Sequence, residues 1–230
     1  TLAGMGYQVV KHGNRAISSK CGSADILETL GIPLKLEPEE VAGVLEKDNF
    51  VFLFAPNYHP AFGRIAPIRK ELGVRTLFNL MGPLLNPARP THQILGVAKP
   101  EFMQIMAEGL ALTGIKKAAV VHGYGGYDEL TPMGPSDVAW VEDGQVKMGK
   151  IDPRALGIAE VDPENLKVDG PAESLAAMRG LLAGEGPKDM QEMLILNLAV
   201  ALYLLEDELS LEDSVARARE AVVTGAGSTY

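Results

Sequence analysis

A chain of 230 residues suffices for one large domain or two small ones, with a sizeable buried core. A composition 47% hydrophobic and 22% charged is that of an ordinary globular protein, and no apolar run approaches the ~20 residues that cross a bilayer. The net charge of −9 argues against a general basic surface for nucleic acid, though not against a local anion site.

The opening "TLAGMGYQVV" reads as the end of a helix, a glycine stop near Gly6 and a short buried strand over residues 7–11. A domain seldom starts partway along a helix, so further sequence is expected ahead of Thr1. Next comes "KHGNRAISSKCGSADILE", whose first ten residues hold Lys11, His12, Arg15 and Lys20 and no acid. Ser23 is placed to cap a helix over "ADILETL", and Gly31 to stop it. "PEEVAGVLEK" predicts a second helix, and "FVFLFA" a strand buried on both faces of a parallel sheet. "PNYHP" predicts a loop, residues 61–72 a helix, and "RTLFNLMGPLLNPARP" a loop or broken helix. A strand "QILGV", a helix over 101–112 and a strand "AAVVH" follow. After His122 the glycine-rich "GYGGYDELTPMGPSD" predicts a loop. "VAWVEDGQVKMG" then alternates around Asp143-Gly144, the mark of a β-hairpin. The remainder predicts helices over 171–182, 188–205 and 211–223, with Pro171 in the first turn of its helix. Repeated strand–loop–helix units predict an α/β fold with a largely parallel, mixed central sheet flanked by helices. Neither "GEGPKD" nor "VDGPAE" looks like a domain linker, so residues 1–230 are expected to form a single α/β domain.

Ligands of α/β folds gather at the carboxyl ends of strands. The basic stretch sits there, between a strand and a helix start. Gly13 and Gly22 allow close backbone approach to an anion, Ser18, Ser19 and Ser23 add donors, and Lys11 and Arg15 add charge. A solvated basic loop before a capped helix has the same composition. The adjacent carboxylates Asp128 and Glu129, in the glycine-rich loop, suit Mg²⁺, which takes oxygen ligands and keeps several waters. A charged surface turn is the other reading of such a pair. His59 and Arg69, in "NYHPAFGRIAPIRKELGVRTLFNLMGPLLNP", either pack and solvate the loop or face a carboxylate substrate. The single Cys21 cannot form an internal disulfide, which suits a reducing cytoplasm.

Taken together, "KHGNRAISSKCGSADILETLGI", "FAPNYHPAFGRIAPIRKELGVRTLFNLMGPLLNPARP" and "GYDELTPMGPSDVAWV" make the chain resemble the anthranilate phosphoribosyltransferase family. The resemblance implies a nucleoside phosphorylase/phosphoribosyltransferase-like large domain and attack of the anthranilate amine on 5-phosphoribosyl-1-diphosphate. It implies that Lys11, His12, Gly13, Asn14, Arg15, Ala16, Ile17, Ser18, Ser19 and Ser23 hold the phosphoribosyl diphosphate. Asn14, His59, Arg69 and Pro83 would meet anthranilate, Arg69 through its carboxylate, and Asp128 and Glu129 would bind Mg²⁺. The resemblance implies no covalent intermediate on a residue, so that catalysis would rest on positioning and electrostatics. Cys21 stands where the family more often has serine.

The resemblance also implies a helical domain, a "GTGGD" loop and an "N-x-S-T" segment ahead of the position of Thr1. The catalytic domain 1–230 is therefore expected to be truncated at its N-terminus and, alone, inactive. The resemblance further implies a cytoplasmic enzyme, homodimeric when whole, that acts on small molecules. Two rivals carry other expectations. A pyrimidine nucleoside phosphorylase shares the "KHG" loop but uses orthophosphate and needs neither Asp128-Glu129 nor "NLMGPLLNP". A non-catalytic, nucleic-acid-binding paralogue needs a basic groove, against which the net charge of −9 speaks.

Overall fold

A computed structural model of the chain describes residues 1–14, 23–60, 71 and 78–228, with the backbone alone described at 23, 78 and 79. The described residues group into two compact units. One is built on Leu2–Arg89 with Asp169–Ala176, the other on Pro90–Val168 with Ala177–Thr229.

In the first unit, strands β1 (Val9–Gly13) and β2 (Phe50–Phe54) pair in parallel, from Val9 opposite Phe50 to Gly13 opposite Phe54. Helices α1 (Ser23–Thr29) and α2 (Pro38–Asp48) lie between them in sequence, the crossover that a parallel pair requires. Gly31, at φ 87°, ends α1, and the Ile32 amide donates to the Leu27 carbonyl at 3.0 Å. A reciprocal capping box starts α2, in which the Glu37 amide donates to the Glu40 carboxylate at 3.0 Å. β2 is buried on both faces. Phe52 packs with Ala24, Leu27 and Leu34, while Val51 and Leu53 pack with Leu36, Val41, Val44 and Leu45.

Two details differ from the sequence expectation. The first strand begins at Val9, two residues late, because a 3₁₀ turn over Ala3–Met5 closes with Gly6 at φ 92° and draws the Tyr7 amide to Leu2 O. "PNYHP" is no plain loop: Ala55–Tyr58 forms one helical turn with Pro56 near its start, and Tyr58 Oη donates to Leu36 O at 3.1 Å. The helix expected over 61–72 lies outside the described residues, Glu71 apart.

In the second unit, four strands run in the order β3-β4-β5-β6. β3 (His92–Gly96) and β4 (Lys117–His122) are parallel and joined through α3 (Met103–Leu112). β5 (Ser136–Glu142) and β6 (Gln145–Ile151) add an antiparallel hairpin, turned by Asp143 at φ 49° and Gly144 at φ 75°. Ala118, Ala119, Val120 and Val121 of β4 are fully buried. α3 packs against β4 and β5, and α5 (Lys188–Leu205) against β3 and β4. α6 (Leu211–Val223) packs along α5. α4 (Pro171–Ala183) precedes them. The α/β class with mixed strand pairing and flanking helices is as expected; among the described residues the strands pair as β1-β2 and as β3-β4-β5-β6. Among the described residues no helix is long and apolar enough to cross a membrane.

Candidate active site

The basic stretch enters the structure as β1 itself. Lys11, His12 and Gly13 are its last residues, and Asn14 follows, so the stretch begins at the carboxyl end of a parallel strand. Lys11 and Asn14 are exposed and His12 is half-buried. Alternation along the strand puts the Lys11 and His12 side chains on opposite faces. A Cβ added at Gly13 would meet the Phe52 ring at 3.5 Å, an ordinary contact, so packing among the described residues does not demand glycine there.

Arg15, Ala16, Ile17, Ser18, Ser19 and Arg69 lie outside the described residues, as does the Ser23 side chain. Ser23 is the first residue of α1. Pro83 sits half-buried in the 3₁₀ turn Gly82–Leu85. The helical turn Phe78–Met81 comes before it, so of the loop or broken helix expected of "RTLFNLMGPLLNPARP" the described part takes the second form.

The structure brings together two residues from motifs separated by more than forty positions. The His12 and His59 rings meet edge to face, centroids 5.1 Å apart at 75°. The helical turn after β2 places His59, whose amide donates to Ala55 O at 3.0 Å. His12 Nε2 is buried with no hydrogen-bond partner among the described residues. Burial, and secondarily the charge of His59, hold the His12 imidazole below its ordinary pKa, so its neutral form is favoured. The positive charge of this stretch therefore comes from its lysine and arginine. Acids concentrate at the start of α2 instead. Burial, with Glu37, Glu39 and Glu40, raises the Tyr58 phenol, so that surface does not suit a diphosphate.

Asp128 and Glu129 lie in the loop between β4 and β5, both exposed. The loop itself is closely tied. The His122 ring hydrogen-bonds Val97 O through Nδ1 at 2.8 Å, and the Gly123 amide donates to Tyr127 O at 2.8 Å. Gly125 and Gly126, at φ 83° and 86°, make the turn between them. Thr131, fully buried, donates its hydroxyl to Tyr124 O at 3.1 Å.

Two glycines are required by contact. A Cβ on Gly96 would stand 1.5 Å from Asp128 O, and one on Gly123 would stand 1.9 Å from Glu129 O. The backbone of the carboxylate pair thus rests directly on the end of β3 and the residue after β4. Sequence reasoning missed both glycines and the His122 contact. "LG" and "HG" at two strand ends were the available signals.

Two carboxylates on adjacent residues of a tied backbone offer hard oxygen donors. Among the described residues no group of three or more His, Cys, Asp or Glu gathers. The pair therefore fits an ion that keeps waters and takes ligands from a substrate, as Mg²⁺ does, better than one enclosed by protein.

Comparison with known proteins agrees across nearly the whole chain. Residues 1–228 match the family described as glycosyl transferase family, a/b domain. The anthranilate phosphoribosyltransferase of Oleidesulfovibrio alaskensis is 57% identical over 227 residues, covering 99% of this chain and 69% of that protein. The crystal structure of the Thermus thermophilus enzyme of the same name superposes with a TM-score of 0.85 at 42% identity, covering 99% of this chain and 67% of that one. The Saccharomyces cerevisiae enzyme, solved in complex with PRPP and Mg, gives 0.83 at 27% identity, with 99% and 65% covered.

Proposed function

The chain belongs to the anthranilate phosphoribosyltransferases, which are glycosyltransferases, and on that premise we propose that it transfers the 5-phosphoribosyl group of 5-phosphoribosyl-1-diphosphate to anthranilate. The C1–O bond to diphosphate breaks, a bond from C1 to the amine nitrogen forms, and the amine loses one proton. The products are diphosphate and N-(5-phosphoribosyl)anthranilate, so this is the second step of tryptophan biosynthesis from chorismate. The observation that carries the proposal is the unbroken likeness over 99% of the chain.

Two features of the described residues support it, the paired His12 and His59 rings and the tied loop that carries Asp128 and Glu129. The run from Lys11 through Ser19, with Ser23, is the donor site, and Asn14, His59, Arg69 and Pro83 serve anthranilate. A neutral His12 against His59 leaves Lys11 and Arg15 to neutralise phosphate charge, and the two imidazole rings offer a wall for a flat aromatic acid. Asp128 and Glu129 would hold Mg²⁺, which, when bound, would spread the charge of the leaving diphosphate. The substrates are small molecules, the setting is the cytoplasm, the whole protein is a homodimer, and nucleic acid has no part.

The chain spans 69% of the length of the Oleidesulfovibrio relative. We propose further that a polypeptide limited to these 230 residues does not turn over, since much of the diphosphate cradle is expected elsewhere. Activity tests therefore use the chain within a protein of its relatives' length. Loss of anthranilate fluorescence with donor and Mg²⁺ is the expected result. Phosphorolysis of a pyrimidine nucleoside, with no consumption of anthranilate, would overturn the reading.

A further inference from the structure

Helix α5 carries one amide side chain in an otherwise apolar run. Between Met193 and Leu205, Asn197 stands in "LILNLAVALYLL", beside Ile195, Leu196 and Leu198, which are almost fully buried. An amide among such neighbours is costly unless its hydrogen bonds are made. Asn197 makes them with one residue far away in sequence. Its Oδ1 accepts from the Leu130 amide at 3.1 Å, and its Nδ2 donates to the Leu130 carbonyl at 2.8 Å. The second Nδ2 hydrogen goes to Met193 O, in the helix turn before it, at 2.9 Å. Only one orientation of the carboxamide satisfies all three partners. Leucine would fill the space but leave both backbone groups of Leu130 without partners.

Leu130 directly follows Glu129. The carbonyls of Asp128 and Glu129 press on Gly96 and Gly123, and the next residue is clamped through both its amide and its carbonyl. Three successive backbone units are thus fixed by β3, by the end of β4 and by α5, while the two carboxylates face outward. A helix interior needs no polar clamp for packing alone. The clamp suits a loop whose side chains must stay put when they take up a doubly charged ion.

We propose that Asn197 is a positioning residue for the Asp128–Glu129 pair and sets its affinity for the divalent ion. This rests on the reading of that pair as the Mg²⁺ site.

The test measures Mn²⁺ binding by electron paramagnetic resonance, with 5-phosphoribosyl-1-diphosphate present and anthranilate absent, so no turnover is needed. Hydrogen exchange at the Leu130 amide is followed alongside. Asn197→Leu is expected to weaken Mn²⁺ binding about tenfold and speed that exchange; in a separate activity assay on a protein of the relatives' length it leaves the KM for anthranilate within about twofold. Asn197→Asp keeps the acceptor for the Leu130 amide and loses both donors, and it falls between wild type and Asn197→Leu; it serves if the leucine variant fails to fold. Faster exchange with unchanged Mn²⁺ binding in either folded variant would reduce Asn197 to a packing residue and overturn the proposal. Asp128→Asn is the separate arm: unaltered Mn²⁺ binding there would overturn the metal site itself, and with it the role of Asn197.

Discussion

A methyl group at position 96 would occupy the place of the Asp128 carbonyl oxygen, and one at 123 that of Glu129. Neither obstacle is a side chain that can rotate away, so the loop backbone must shift. Gly96→Ala and Gly123→Ala are each expected to lower turnover about a hundredfold, because ångström-scale misplacement has that effect in a positioned site. Gly43→Ala, at an open place in α2, is the control and should stabilise by about 0.5 to 1 kcal/mol. Steady-state kinetics with circular dichroism distinguishes these outcomes, and wild-type turnover in Gly96→Ala would refute the first. Asp128→Asn should cost at least tenfold in Mg²⁺-dependent turnover, about 1.4 kcal/mol in the barrier; an unchanged magnesium titration would remove its metal role. His12 carries a prediction about pH. Its folded pKa lies below the ordinary value of about 6.5, so the unfolded chain takes up the proton first. Its contribution is complete above that value and lost as pH falls from there toward the folded pKa. Urea midpoints measured from pH 7.5 to 5 should fall more steeply for wild type than for His12→Gln; parallel curves would contradict this. Sequence singles out residues whose chemistry is unusual for their surroundings, as it does the cations from Lys11 to Arg15 and the adjacent acids Asp128-Glu129. Gly96, Gly123 and Asn197 escaped because their roles depend on which backbone lies opposite, and local pattern does not record that.

At the scale of elements, local pattern and packing agree. The limits of α5 and α6 match the expected residues, α6 starting at a side-chain cap and α5 without one. Ser210 accepts from the Asp213 amide at 3.1 Å, and Pro187 precedes Lys188. What pattern could not foresee is how the two helices are tied. Glu192 of α5 faces Arg219 of α6 in a paired ion contact, with the Ala159 amide donating to Glu192 Oε2 at 3.1 Å and Arg219 donating to Gly157 O at 3.2 Å. Burial alone would raise the Glu192 carboxyl, but the hydrogen bonds and charge of Arg219, with the Ala159 amide, outweigh it and leave the pKa below the ordinary range. That contribution is present above the ordinary carboxyl pKa and is lost as pH falls through the folded value. Arg219→Ala should destabilise by about 1 to 2 kcal/mol at pH 7, allowing for the partly exposed guanidinium. A double-mutant cycle with Glu192→Gln measures the coupling, and a coupling near zero would show that the helices are held by apolar contact alone.

At the scale of the molecule, the α/β class was legible from the repeated strand–loop–helix order, whereas the pairing of the strands was not. Strand periodicity says that Phe50–Phe54 and Lys117–His122 are buried strands; it says nothing about which partner each takes, since that depends on contacts distant in sequence. The division into two units has a thermodynamic consequence. The unit of Leu2–Arg89 pairs two strands among its described residues, and its β1 residues are only half-buried or exposed. A two-stranded sheet depends heavily on the helices packed against it. The unit of Pro90–Val168 and Ala177–Thr229 encloses a strand of fully buried residues between partners on both sides, packed by α3 and α5. Local opening should therefore be easier in the first unit than in the second. The chain reports on this through its single tryptophan. Trp140 lies on β5 of the second unit, its ring edge to face with Tyr203 at 5.3 Å. Its fluorescence follows that unit alone, while far-ultraviolet circular dichroism follows both. In urea the 230-residue polypeptide should lose part of its dichroism before its fluorescence changes, and amides of β1 and β2 should exchange sooner than those of Ala118 to Val121. Superimposed transitions with uniform exchange would mean that the two units unfold as one cooperative body.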